Sequence, residues 1–172
     1  MKRNNSLSCA FGLVAILSST VNAGESRIGV GGLYIDGDDF SATNAGAVWE
    51  YSSQESWAFE LGVYGGGSDD WIDVDVGVSA KFKYGMNSGD TFWYASAGIG
   101  YAELSGCLTI YNPYQYRTIT SCAEGDGTGA TLGVGVDIPL GGSDWVFGFA
   151  YDRGFGDLED ANFISANFKY GF

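Results

Sequence analysis

The stretch Ala161-Asn162-Phe163-Ile164-Ser165-Ala166-Asn167-Phe168-Lys169-Tyr170-Gly171-Phe172 decides how the rest of the chain is understood. Ile164, Ala166, Phe168, Tyr170 and Phe172 fall on one parity, and Ser165, Asn167, Lys169 and Gly171 on the other. Side chains alternate faces along a strand, so this segment has one apolar face and one polar face. In water, an apolar strand with an open edge invites aggregation. A barrel closed within a bilayer avoids this, because lipid solvates the apolar face and the first strand takes up the open edge.

The other end of the chain points the same way. Lys2 and Arg3 are followed by a mostly apolar run from Leu7 to Leu17, then by the small-residue site Val21-Asn22-Ala23. Residues 1–23 are therefore expected to be a secretory signal peptide cut after Ala23, leaving 24–172 as one barrel domain. The apolar run falls short of the ~20 residues a spanning helix needs. Cys9 precedes the core of that run and lacks the context of a lipidation site. The formal net charge is −13, and two of the eight basic residues lie in the leader. So acidic a chain is not expected to bind nucleic acid. With 28 Gly, 5 Trp, 11 Tyr and 11 Phe but 2 Pro and no His, the composition suits a barrel with a crowded interior and aromatic rims.

Period-2 alternation recurs in eight segments. The first, about Arg27 to Ile35, sets Ile28, Val30 and Tyr34 on one face, although Gly29, Gly31, Gly32 and Leu33 blur it. The second turns Ala45, Ala47, Trp49 and Tyr51 against Asn44, Gly46, Val48 and Glu50; the third turns Trp57, Phe59, Leu61 and Val63 against Ala58, Glu60, Gly62 and Tyr64. The fourth is the cleanest, with Ile72, Val74, Val76, Val78, Ala80, Phe82 and Tyr84 against Asp73, Asp75, Gly77, Ser79, Lys81 and Lys83. The fifth directs Trp93, Ala95, Ala97, Ile99 and Tyr101 outward, the sixth Ala130, Leu132, Val134, Val136 and Ile138, and the seventh Trp145, Phe147, Phe149 and Tyr151. The expected fold is an all-β, eight-stranded, antiparallel up-and-down transmembrane barrel. A strand of about ten residues tilted ~45° rises about 23 Å, close to the apolar band of such a barrel.

Ring placement tests the topology separately. Alternating strand direction brings Trp49, Tyr51, Trp57, Phe59, Phe82, Tyr84, Trp93, Trp145, Phe147, Tyr170 and Phe172 to one level, with Tyr34, Tyr101 and Tyr151 at the other. A soluble up-and-down barrel of lipocalin type would accept the alternation, but it has no use for these belts. The signal segment, eight strands, aromatic belts and aromatic-ended last strand resemble the small OmpA/OmpX-type outer-membrane barrels and the opacity-like surface antigens. The resemblance implies a bacterial outer-membrane location, outer-membrane lipid and lipopolysaccharide as surroundings, and an insertion signal for the barrel-assembly machinery at Phe168, Tyr170 and Phe172. It is weak on role, since this architecture hosts adhesins, scaffolds and enzymes alike.

The outer-membrane esterases and omptin-type proteases depend on a His, which this chain lacks, so no catalytic residue is expected and the chain is taken as a non-enzyme. No cofactor or metal motif is present. Glu50, Glu60, Asp73, Asp75, Lys81, Lys83, Asp137, Asp152 and Lys169 share the inward parity, and they are expected to form a charge network in the lumen. Cys107 and Cys122 are the two cysteines beyond the leader, and in an oxidising compartment such a pair is expected to form a disulfide. They staple an extracellular hairpin, 105–126, whose Tyr111, Tyr114, Tyr116 and Arg117 are residue types enriched in binding hot spots. The leading expectation is a structural or surface-interaction protein with an extracellular protein or glycan as partner. A narrow channel for small molecules is the alternative, disfavoured because eight strands leave an interior filled by side chains. Acidic residues at Asp36, Asp38, Asp39, Asp69, Asp70, Asp126, Asp157, Glu159 and Asp160 fall in the outer loops, where they read as solvated charge before cation ligands.

Overall fold

The computed structural model describes residues 24–37, 41–53, 56–68, 73–112, 117–159 and 161–172; residues 1–23, with the expected signal peptide, lie outside that description. The described residues form eight wall strands: β1 Glu25–Asp36, β2 Ser41–Ser52, β3 Trp57–Gly65 continued by Gly67–Ser68, β4 Asp73–Ser88, β5 Thr91–Asn112, β6 Arg117–Pro139, β7 Trp145–Gly156 and β8 Asn162–Gly171. Each pairs antiparallel with its chain neighbour. β8 closes the ring on β1 from Arg27↔Gly171 to Asp36↔Asn162, and Phe172 N–H donates to the Ser26 carbonyl at 3.0 Å. No sheet edge remains in the wall, as expected of a closed barrel.

The first described residue, Gly24, and Phe172 lie at one end of the barrel, here called inner, with three tight turns. Ser53 N–H donates to the Trp57 carbonyl at 3.0 Å and Leu140 N–H to that of Trp145 at 2.8 Å, while Gly89 (φ +63°) supplies the left-handed residue between β4 and β5.

Alternation sets the two faces. In β8, Ser165, Asn167 and Lys169 are buried while Ile164, Phe168, Tyr170 and Phe172 are exposed. In β1, where glycines blurred the pattern, Ile28, Val30 and Tyr34 face out and Ile35 is buried inside. The outward surface is a continuous apolar band that includes Val30, Ile99 and Val134, each more than half exposed. Around its inner rim the rings touch: Trp49 with Phe59 at 6.4 Å, Tyr51 with Trp57 at 5.6 Å, Trp57 with Phe82 at 6.0 Å, Trp145 with Tyr170 at 5.2 Å and Phe147 with Phe168 at 5.0 Å. These contacts bury Trp49 and Tyr51 although both have outward parity. Cross-strand aromatic pairs of this kind also help to hold register.

The hairpin expected between the fifth and sixth strands is an unbroken continuation of both. β5 and β6 remain paired with each other from Phe92↔Asp137 to Asn112↔Arg117. Among the described residues their pairing with the rest of the wall ends at Ser105↔Asp73 and Gly129↔Gly156. Beyond those points the described residues of β5 and β6 pair with each other as a two-stranded ribbon at the outer end, about 20 Å long at the usual rise per residue.

Candidate functional site

The lumen holds the densest chemistry of the described residues. Its inner half is built around two lysines on facing walls. Lys83 Nζ (β4) donates to Glu50 Oε2 and Glu60 Oε2, both at 2.6 Å, and lies 3.5 Å from Asp137 Oδ2. Lys169 Nζ (β8) donates to Glu50 Oε2 at 2.7 Å and Asp137 Oδ1 at 2.9 Å. Arg27 Nη1 donates to Glu50 Oε1 at 2.9 Å, and its Nη2 to Glu25 Oε2 at 3.0 Å. Lys83, Lys169, Glu50, Glu60 and Asp137 are all buried, and three cations face three carboxylates across the lumen axis. Burying so many charges would be prohibitive if any one lacked a counter-charge. The Lys83 ammonium also lies 4.6 Å from the centre of the Tyr94 ring, a cation–π distance.

Small residues make room for these groups. A methyl placed on Gly148 would sit 2.6 Å from Asp137 Oδ1, and one on Gly133 2.3 Å from Asp152 Oδ1. Gly46 and Gly62 leave the space that the Tyr64 ring fills. The glycine-rich inward rows are thus the packing complement of the large polar side chains.

Midway along the lumen, Lys81 Nζ donates to Asp152 Oδ2 at 2.5 Å, and the Ser96 hydroxyl donates to Asp152 Oδ1 at 2.7 Å. Towards the outer end the lining turns apolar. Ile35, Ala42 and Ala161 are buried together, with Leu33 and Phe163 packed against them.

Of the residues the sequence assigns to the network, Glu50, Glu60, Lys81, Lys83, Asp137, Asp152 and Lys169 are brought together inside. Asp75 is not. The β4–β5 pairing passes from Val74↔Leu104 to Val76↔Glu103, skipping Asp75, which is exposed. An extra residue of this kind bends the strand and re-aims its side chain. The Asp73 side chain lies outside the described residues, although its backbone pairs with Ser105. Arg27 belongs to the network and was missed, because the glycines of β1 hid its parity. Its opposition to Gly171, two residues from Lys169, places it inside.

In the outer ribbon, Cys107 and Cys122 are directly opposed in register. Of the candidate recognition residues, Tyr114 and Tyr116 fall outside the described residues, as do the side chains of Tyr111 and Arg117. Asp38, Asp39, Asp69, Asp70 and Asp160 of the acidic loops are likewise not described.

No protein-family model matches the sequence, and no curated protein matches it. Solved structures do. The N-terminal β-barrel domain of OprF from Pseudomonas aeruginosa is similar with a TM-score of 0.57 at 15% identity, covering 87% of this chain and 99% of that one. Neisserial surface protein A is similar with a TM-score of 0.53 at 13% identity, covering 88% and 98%. Ail, the attachment invasion locus protein of Yersinia pestis, is similar with a TM-score of 0.50 at 15% identity, covering 87% and 97%. The chain has the fold of the small eight-stranded outer-membrane barrels. At these identities the likeness carries the fold alone, so the role of this barrel is argued from its own lumen and ribbon.

Proposed function

We propose that the chain is a non-enzymatic integral β-barrel of the bacterial outer membrane, exported by a signal peptide cut after Ala23, whose outer ribbon is its surface-interaction element. The observation that carries this reading is the mutual pairing of β5 and β6 through Asn112↔Arg117, well past the last bonds to the wall among the described residues. A barrel needs no such projection to close. In sequence, Tyr111, Tyr114, Tyr116 and Arg117 fall at and between the last paired residues of the ribbon, and a Cys107–Cys122 disulfide would staple it above the base. An extracellular protein or glycan is the partner this arrangement fits.

The outward apolar band supports the membrane setting, since a surface of that extent is not stable in water. Lipid and lipopolysaccharide are its natural surroundings, and the exposed Phe168, Tyr170 and Phe172 of the last strand suit recognition by the insertion machinery. Two of the similar structures carry names for surface and attachment proteins, which agrees with this reading without deciding it. Against catalysis stands the engagement of each lumen carboxylate: Glu50, Glu60, Asp137 and Asp152 are all held by lysines, and no His is available as a base. The same network, with the apolar outer lining, weighs against a water-filled passage.

Two experiments test the proposal. Membrane fractionation with unheated gel mobility should place the mature protein in the outer membrane as a heat-modifiable barrel. Val134→Arg, in the middle of an outward row, should cost ~2–4 kcal/mol and impair insertion; a soluble periplasmic protein indifferent to that change would end the membrane reading. Cells displaying the protein with residues 106–123 replaced by a two-residue turn, which joins the opposed Ser105 and Glu124, should lose at least tenfold of their binding to protein and glycan arrays, with the barrel shift intact. Equal binding would return the ribbon to a structural part.

A further inference from the structure

The outward wall is not evenly convex. Val30, Ile99 and Val134 stand proud of it, each more than half exposed. Across β2 and β3 the wall is hollowed instead into a groove of about 440 Å³. The sequence makes the hollow: the outward positions of β2 above Trp49 are Ala45 and Ala47, opposed by Gly65 and Val63. Side chains this small leave the backbone as the floor of the groove. Ile28 and Leu61, opposed to Trp49 from either side, close the inner end. The outer end opens past Gly65 and Gly66 to Asp75 and Val76. Gly66, at φ +78°, takes a left-handed bend there, where the pairing with β4 passes from Tyr64↔Gly77 to Gly67↔Val74.

Its length and the charge at its mouth say what fills it. From Leu61 to Gly66 the groove runs about 16 Å along β3 at the usual rise per residue. It tilts with the strand, so its depth lies within the ~15 Å that the chains of one leaflet occupy. The mouth is acidic. Asp75 is exposed at the lip, re-aimed by the residue skipped in β4. Glu103, opposed to Val76 on β5, shares the outward parity of Tyr101 and is also exposed. None of the residues lining the groove is basic. A second copy of the barrel fits badly, since it would bring a convex wall to a hollow one strand wide.

We propose that this groove seats one acyl chain of an outer-leaflet lipid whose head carries a primary ammonium. The ammonium sits at Asp75 and Glu103, and the chain lies over Ala45 and Ala47 down to Trp49. The inference rests on the membrane reading above and deepens it, from lipid as general surroundings to one seat and one kind of head. Lipid tails are as apolar as the groove, so transfer from water gives the seat no advantage over the rest of the wall. The advantage comes from contact. A chain in the hollow touches protein beneath and on both flanks, whereas one on the convex wall touches it only beneath. The head adds charge pairing at the membrane surface, where a purely anionic head would meet like charge.

The test places the mature protein in nanodiscs of chain-deuterated dimyristoylphosphatidylcholine, whose head has no N–H to donate. A minor guest with protonated chains is added, either dimyristoylphosphatidylethanolamine or the phosphatidylglycerol with the same chains. NOEs from guest chains to the methyls of Ala45, Ala47 and Val63, set against those of Ile99 and Val134, read the groove against the wall. Each NOE is scaled to the same one with all chains protonated. The ethanolamine guest should be enriched about threefold in the groove, the scale of one exposed ion pair, and the glycerol guest not at all. Asp75→Asn should remove most of the difference between the guests. Ala47→Leu, which fills the hollow, should bring Ala45 and Val63 down to the wall value. Equal NOEs in groove and wall with both guests, or a preference unchanged by Asp75→Asn, would overturn the proposal. So would NOEs at Ala47 from a second, differently labelled copy. Guest NOEs at Val134 test the membrane reading separately: their absence ends that reading, while their presence without enrichment in the groove ends only this one. If Ala47→Leu fails to insert, the two guests and Asp75→Asn decide the matter.

Discussion

The inner and outer halves of the lumen are lined by the same eight strands and solve opposite problems. In the inner half the charged side chains are all committed: Lys83 bridges Glu50 and Glu60, and Lys169 bridges Glu50 and Asp137. In the outer half Ile35, Ala42 and Ala161 pack by shape alone, and the hydroxyls of Ser79, Thr131 and Ser165 have no partner among the described residues. The difference concerns specification. A one-residue slip of any inner strand would turn a carboxylate or ammonium out to the apolar band and leave its partners stranded. The same slip at Ile35, Ala42 or Ala161 would strand no ion partner. The charges therefore serve register, a role buried ionic groups fill more reliably than they add net stability.

Removing one charge should have the largest effect. Lys169→Met leaves Glu50 and Asp137 short of a cation at 2.7 and 2.9 Å, and it is expected to destabilise the barrel by about 3–5 kcal/mol in urea unfolding from lipid vesicles. A loss under ~1 kcal/mol would show that Lys83 alone balances the cluster and would break the contrast between the halves. In the outer half, Ile35→Val should cost about 0.5–1.5 kcal/mol in the same assay. Thr131→Val should be smaller again, neutral or slightly stabilising, because the hydroxyl it removes is buried unpaired. A loss above ~1 kcal/mol there would mean that the hydroxyl makes a bond worth keeping.

How much of this was legible in the sequence follows from the range of each signal. Alternation is local, so β8 and the run from Val76 to Tyr84 could be faced directly. Parity likewise picked out seven charges that lie buried together. It failed at Asp75, since a skipped residue resets parity and only the pairing partner reveals it. It failed at Arg27 for want of side chains around it. The identity of ion partners was never legible: Lys81 meets Asp152 and Lys169 meets Glu50 across the lumen, a matter of strand stagger that no local pattern encodes. The hairpin was legible, but that its arms run on unbroken from the wall strands was not, because Gly106, Gly125, Gly127 and Gly129 interrupt the alternation there.

That departure from the wall sets up the smallest expected effect on the barrel. Cys107 and Cys122 are opposed in register two positions beyond Ser105, the last residue of β5 paired with β4 among the described residues. Opposed positions in an antiparallel pair are about 4.5–5.5 Å apart at Cα, within the span a disulfide bridges. Closing the short loop between them stabilises it by ~3 kcal/mol in the chain-entropy model. If ribbon and barrel are separate cooperative units, that energy belongs to the ribbon alone. Cys107→Ser with Cys122→Ser should then leave barrel unfolding within ~0.5 kcal/mol of wild type, as for a surface change. Amide exchange at the paired positions between Cys107 and Cys122 should meanwhile rise about a hundredfold, the equivalent of ~3 kcal/mol. Thiol labelling of unreduced cells checks the bridge itself, and free thiols there would remove it. A fall in barrel stability in step with the exchange would mean the ribbon unfolds with the wall. The outer end would then share the commitment of the inner lumen, and the two halves would differ in chemistry without differing in rigidity.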